Sequence, residues 1–449
     1  MKTRVKNLAK RSASVVLGSE QPPGTTRTLL TAQQGGLVKR TVLPGGLRII
    51  TEQMPTVRSA AIGIWVNIGS RDELASQTGS AHYLEHLLFK GTKSRTALDI
   101  SSSIDEVGGE MNAFTSKEVT CFYTRVLDTH VPTAIEVLVD MITSATITSG
   151  DVDQERSVVL EEISMRDDDP SDLVHEHFAR AMFGDAPLGR SILGTSLNIE
   201  SLSRRSIHGF YRKYYTPDRL VISVAGNIEH ASVVKMIRKA FAAGGVSLDG
   251  DATPFVPTKS RVKISHTGGF EKFNKVTEQA NVVIGVPGLD RADERRYQLT
   301  VLNAALGGGM SSRLFQEVRE KRGLVYSVYS FAQQFADTGV VGIYAGCQPK
   351  RLDAVREVCA DVIADVAAHG ISQAELERAK GQVSGGMVLG LEDTSSRMSR
   401  IARNEMNNGY VPSVSEVLDR VADVTLEEVQ TLAHHLWSQD THTVVVGPE

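Results

Sequence analysis

The sequence is poor in cysteine, in tryptophan and in net charge, and each scarcity removes a class of protein. Three cysteines in 449 residues (Cys121, Cys347 and Cys359) are odd in number and scattered, with no CxxC spacing. This argues against a disulfide framework and for a reducing compartment. No uninterrupted apolar stretch approaches the ~18–20 residues that a membrane-spanning helix needs. A net charge of −4 and a pI near 6.3 give no bulk-charge reason to expect nucleic-acid or membrane-surface binding. What remains, 41% hydrophobic and 23% charged residues, is ordinary for a globular protein. At this length more than one domain is expected.

The N-terminus differs in composition. MKTRVKNLAKRSASVVLGS carries Lys2, Arg4, Lys6, Lys10 and Arg11, with no acidic residue before Glu20. Its apolar part is too short for a secretory signal, and two readings remain: a disordered basic extension over residues 1–38, or an organellar presequence.

The rest of the chain repeats itself. AAIGIWVNIGS (60–70) has a counterpart in NVVIGVPGLD (281–290), YLEHLLFKGT (83–92) in VLNAALGGGM (301–310) and AIEVLVDMI (134–142) in VREVCADVI (355–363). ITSGDVDQER (147–156) pairs likewise with ISQAELERAK (371–380), and LVISVAGN (220–227) with HTVVVGP (442–448). Each match is weak alone, but shared order at a nearly constant offset is the signature of an internal duplication. The expectation is an α+β fold of two homologous halves, residues 39–244 and 263–449. A linker at 245–262 joins them, within a stretch rich in Gly, Pro, Ser and Thr.

The duplication singles out AHYLEHLLFKGT (81–92). On a helix, His82, Glu85 and His86 share one face, an expensive arrangement for an apolar segment unless something pairs with them. At an offset of 218 the second half has Thr300, Asn303 and Ala304 instead. The fold therefore does not require the three polar groups. A second helix, expected over 151–170 and ended by Pro170, places Val152, Glu155, Val158, Val159, Glu162 and Met165 on a face predicted to turn inward. Glu161 points away from it and reads as solvated. Glu155 and Glu162 correspond to Ala379 and Gly386 in the second half, so the polar groups of both helices vanish together. Two imidazoles and one carboxylate holding a divalent cation satisfy both helices, and with an open fourth position this is a catalytic zinc arrangement. Glu85, next to His86, is then placed to accept a proton from the attacking water. The reaction class is metal-assisted hydrolysis of a carbonyl compound, most simply a peptide bond.

With PGGLRIITE (44–52), HYLEHLLFKGT (82–92), GGEMNAFTSKE (108–118), ERSVVLEEISM (155–165), LGGGMSSRLFQEVREKRGLVYSV (306–328) and GLEDTSSRMSR (390–400), the chain resembles the inverzincin peptidases of the pitrilysin type (M16). It is most similar to bacterial processing-peptidase-like members and to the β subunit of the mitochondrial processing peptidase. The resemblance implies one zinc per chain, held by His82, His86 and Glu162, with Glu85 as general base and Glu155 orienting the site. It also implies a clamshell around a chamber, with Arg319 and Tyr326 supplied by the second half, Tyr326 toward the oxyanion and Arg319 toward a substrate carbonyl. The GGEMNAFTS strand is expected beside the zinc helix, where Asn112 and Ala113 offer an open edge to extended peptides. The implied protein is a zinc metalloendopeptidase, a homodimer in a bacterial cytoplasm, with an organelle matrix as the other location. A non-catalytic structural or partner subunit of the same fold is the alternative, and such relatives lose the ligands that this chain keeps. LGGGMSSRL (306–314) lacks the spacing of a phosphate-binding loop, and the acidic run RDDDPSD (166–172) reads as a solvated helix end.

Overall fold

The computed structural model describes residues 18–32, 36–256 and 268–449. Its strands, in chain order, are β1 (Thr25–Leu30), β2 (Leu37–Val42), β3 (Arg48–Gln53), β4 (Ser59–Val66), β5 (Glu110–Thr115), β6 (Thr120–Leu127), β7 (Leu220–Gly226), β8 (Gly269–Asn274), β9 (Ala280–Pro287), β10 (Val325–Gln334), β11 (Gly339–Cys347) and β12 (His442–Gly447). They form a seven-stranded sheet, β1-β2-β3-β7-β4-β6-β5, and a five-stranded sheet, β10-β11-β9-β12-β8. Reversed, the second order is that of the first without β1 and β2. In each sheet one pair is parallel, β3 with β7 and β8 with β12, and the other pairs are antiparallel. The expected two-halved α+β architecture is what the chain adopts.

Burial repeats along with topology. On the helix Ser80–Leu88, the residues Ala81, Tyr83, Leu84, Leu87 and Leu88 are buried. On Arg296–Gly307 the buried set includes Leu299, Val301, Leu302, Ala305 and Leu306, each 218 positions on. The apolar frame is therefore common to both halves, and only the polar positions differ.

Each sheet has one face on its own half's helices and the other under a helix from the opposite half. Helix Thr394–Asn408 lays Met398, Ile401, Ala402 and Met406 on Ile50, Ala61, Trp65, Val221 and Ala225 of the first sheet. Helix Pro170–Phe183 lays Val174, Phe178, Met182 and Phe183 on Val283, Tyr344, Val444 and Val446 of the second. Glycines admit the incoming helices. A Cβ on Gly63 of β4 would fall 2.5 Å from Met398 Sδ, and one on Gly285 of β9 would fall 2.5 Å from Phe178 Cζ. Full burial of each Met, Ile or Phe is worth about 1.5–3 kcal/mol.

Polar contacts fix the register of this exchange. Arg40 and Glu405, both fully buried, are 2.8 Å apart, with Arg48 at 3.5 Å from the other Glu405 oxygen. Buried Glu52 accepts from Arg397 at 2.5 Å. At the tips of the two edge hairpins, Arg71 reaches both Glu118 (2.5 Å) and Asp337 (3.0 Å), and Arg291 also donates to Glu118.

One expectation needs correction. Residues 18–32 are not an unstructured extension. Thr25–Leu30 pairs antiparallel with β2, and the buried Gln21 side chain donates to Thr25 O and Arg40 O. The polar, Pro- and Gly-containing sequence there hides an edge strand that β2 organises; residues 1–17 lie outside the described residues. In the proposed linker, residues 247–256 have no helix or strand but stay on the first half, where Phe255 N donates to Asp218 O (2.8 Å); residues 257–262 lie outside the described residues.

The ion pair under the exchanged helix generates a prediction. Glu405→Gln removes the buried charge that Arg40 and Arg48 share, and should cost roughly 3–5 kcal/mol of unfolding free energy. Denaturant titration followed by fluorescence of Trp65, which lies under the same exchanged helix, measures it.

Candidate metal centre

The helix Ser80–Leu88 begins after Gly79, whose φ of +94° suits only glycine and whose added Cβ would meet Leu193 O at 2.8 Å. With no side chain of its own to cap the helix there, the chain uses Glu73 from the preceding loop. Its carboxylate accepts from Gly79 N (2.8 Å) and Ala81 N (2.7 Å), the residue before His82. Burial pushes the Glu73 carboxyl up to about 8, against the pull of those N–H groups and of Arg190 and Lys117.

The partner helix runs from Ser149 to Asp168, capped by Thr148 and Asp151, and the next helix starts at Pro170. Its buried face is Val152, Glu155, Val159 and Ile163. Val158 and Met165, expected on that face, are exposed, because the buried stripe drifts toward Ile163 and leaves Glu162 at its margin. The three exposed or marginal positions form one stripe, so Glu162 is flanked by open apolar side chains. Glu161 is exposed, as read from the sequence.

The two helices bring His82, His86 and Glu162 together. Glu162 lies 3.5 Å from His82 Nε2 through one oxygen and 3.5 Å from His86 Nε2 through the other. One donor atom from each residue fits within 4.8 Å of the other two, and among the described residues this is the one such group. Burial, and then the neighbouring His86, lower the His82 pKa to about 4, which keeps that imidazole neutral near pH 7, the form that binds a metal. Glu155 does not join the group. It accepts from His86 Nδ1 (3.2 Å), orienting that ring so that Nε2 faces Glu162, and its other oxygen is 2.6 Å from Lys90 Nζ. The donor set, two neutral imidazoles and a carboxylate, fits a zinc ion.

Glu85, between the ligands in sequence, receives a hydrogen bond from Thr115 Oγ1 at 2.6 Å. Burial raises its carboxyl, and this bond offsets the rise only in part. Asn112 and Ala113 lie on β5, the free edge of the first sheet, and Asn112 Oδ1 accepts from Ala113 N at 2.8 Å. Arg319 and Tyr326 come together on the second half, the guanidinium 5.1 Å from the Tyr326 ring centroid and 4.7 Å from that of Phe315. Among the described residues, no hydrogen bond or ion pair links either side chain to the histidines or Glu162. Glu73, Lys90 and Thr115 were missed in the sequence. Only Lys90 left a trace there, four residues after His86 on the same helix.

Two outcomes are expected. Glu155→Gln keeps the fold and weakens zinc binding about 10–100-fold in a competition titration with a chelating dye. Glu73→Ala, which uncaps the ligand helix, costs about 1–2 kcal/mol of stability by thermal melting.

Residues 48–196 match the insulinase family (peptidase family M16), and residues 201–383 match the peptidase M16 inactive domain. The chain is 52% identical over 424 residues to an uncharacterized zinc protease of Streptomyces coelicolor, covering 94% of this chain and 92% of that one. It is 42% identical over 412 residues to an uncharacterized zinc protease of Bacillus subtilis, covering 92% and 98%. In fold it resembles the crystal structure of a protease from Helicobacter pylori, with a TM-score of 0.84 at 23% identity over 92% of this chain and 99% of that one. The first half carries a His–His–Glu group that could hold a metal ion and the second half has other residues at those positions, and with these likenesses the chain belongs to peptidase family M16.

Proposed function

We propose that the protein is a zinc-dependent endopeptidase acting on extended peptides or unfolded protein segments. The observation that carries this is the convergence of His82, His86 and Glu162 beside Glu85, on an apolar frame that the second half reproduces without any of the four. His82, His86 and Glu162 hold one ion per chain. The bound ion supplies Lewis acidity toward the attacking water and the scissile carbonyl. Glu85 takes the proton of that water and delivers it to the leaving amine. Glu155 and Lys90 keep the His86 ring turned toward the site.

The substrate lies along β5. The Ala113 amide on that free edge is satisfied by its own neighbour's side chain, a bond that an incoming strand displaces without leaving a buried donor unpaired. Backbone pairing of this kind selects for extended conformation more than for sequence. Val158 and Met165 offer apolar contact beside Glu162. Tyr326, 79% exposed with Arg319 against its ring, presents a free phenol that donates to the oxyanion once the second half meets the substrate, and Arg319 holds a substrate carbonyl.

The test is hydrolysis of a quenched-fluorescent peptide by wild type and by Glu85→Gln, with zinc counted on both. The amide keeps the shape of the carboxylate but takes no proton. Zinc should stay near one per chain while kcat falls on the order of 10²–10⁴-fold. A wild type that binds zinc and cleaves nothing, with the variant indistinguishable from it, sinks the reading in favour of a non-catalytic subunit.

A further inference from the structure

A general base acts well only if one carboxylate oxygen is aimed, and nothing in a helix holds a glutamate in one rotamer at a half-buried position. Among the described residues, Thr115 is the only hydrogen-bond donor to Glu85. At 2.6 Å it is a short O–H···O bond to a charged acceptor, the strong kind. Thr115 closes β5 and is paired across the hairpin with Thr120 of β6. The Thr120 side chain is fully buried, and its hydroxyl donates to Ile68 O at 3.1 Å.

A count of protons tells what this pair does. Each hydroxyl has one. That of Thr115 goes to Glu85 and that of Thr120 goes to the Ile68 carbonyl. The 3.4 Å between the two oxygens therefore carries no relay away from the base. The arrangement holds; it does not conduct.

The duplication supplies a control. In the second sheet, the cross-strand pair that closes the corresponding hairpin, before a turn of the same length, is Gln334 and Gly339, joined in register across β10 and β11. Where Glu85 is replaced by Asn303, neither hydroxyl is retained: Gln334 Nε2 donates to Asp290 O (3.1 Å) and Gly339 has no side chain. The hydroxyl pair accompanies the base and not the fold.

We propose that Thr115 is a positioning residue for Glu85, its hydroxyl fixing Oε2 so that Oε1 is the oxygen turned to the water and the substrate. The inference rests on the peptidase reading given above. It assigns a second duty to β5: its outer edge meets the substrate and its last side chain aims the base.

The experiment compares Thr115→Val, Thr115→Ala and Thr115→Ser in kcat, KM, zinc content and melting temperature. Thr115→Val keeps the β-branch and loses the donor; kcat should fall about 10–100-fold with KM and zinc content unchanged. Thr115→Ala should fall as far, so that misfolding of either variant leaves the other to decide. Thr115→Ser restores the donor and should stay within about twofold of wild type. A readout free of catalysis is the melting temperature of zinc-free protein. Thr115→Val should lower it by about 1–3 °C beside Glu85 and have a smaller effect in a Glu85→Ala background. Equal losses for Val and Ser, a loss confined to KM, or additive melting shifts would each overturn the proposal. Non-additive melting shifts in a wild type that hydrolyses nothing mark failure of the peptidase reading instead, and the positioning role falls with it.

Discussion

The exchange of covering helices is the constraint on which the structure depends. A sheet buried on one face only has to hide the other, and here neither half does so with its own chain. The helix Pro170–Phe183 follows the Glu162 helix after a single residue, Asp169, and packs on the opposite sheet. Glu162 is thus held at one end by its contact with the His82 helix and at the other by a docked neighbour. The donor group depends on both halves although all its atoms come from one.

Apolar packing alone would tolerate a slide of either helix along its sheet, because methionine and isoleucine stripes are forgiving. Arg40, Arg48 and Glu405 are not, since a displacement of one turn strands a buried charge. The same logic operates on a smaller scale at the metal centre. Glu155 is buried between His86 and Lys90, and any rotation of the imidazole that breaks that contact leaves a carboxylate short of partners. Buried charge here serves to select one geometry among several of similar apolar content.

Much of this was legible in the sequence, for definable reasons. A duplication makes the chain its own control: positions shared by both copies report the fold, and positions that differ report chemistry. His82, Glu85, His86, Glu155 and Glu162 stood out in this way. The helix around Glu162 was legible in extent but not in facing. A strict i, i+3, i+7 count placed Val158 and Met165 inside, whereas the buried stripe follows Val152, Glu155, Val159 and Ile163. β1 was illegible because Thr25–Leu30 is polar, and its strand state comes from pairing with β2. Glu73 and Thr115 were illegible for a related reason: a loop carboxylate and a strand hydroxyl acquire their roles only when the chain brings them to a helix encoded elsewhere.

The exchanged cover has a consequence in time. The first sheet is complete when Gly226 has been made, yet the helix that shields Trp65, Ile50 and Val221 begins at Thr394. At ~5–20 residues per second of synthesis, that apolar face stays bare on the order of ten to thirty seconds while the ribosome completes the second half. During that interval the nascent chain presents a flat, hydrophobic sheet surface to its surroundings. A second nascent copy at the same stage is a poor cover for it, since it lacks the same helix. The cover of that face thus waits until the helix ending at Asn408 has emerged.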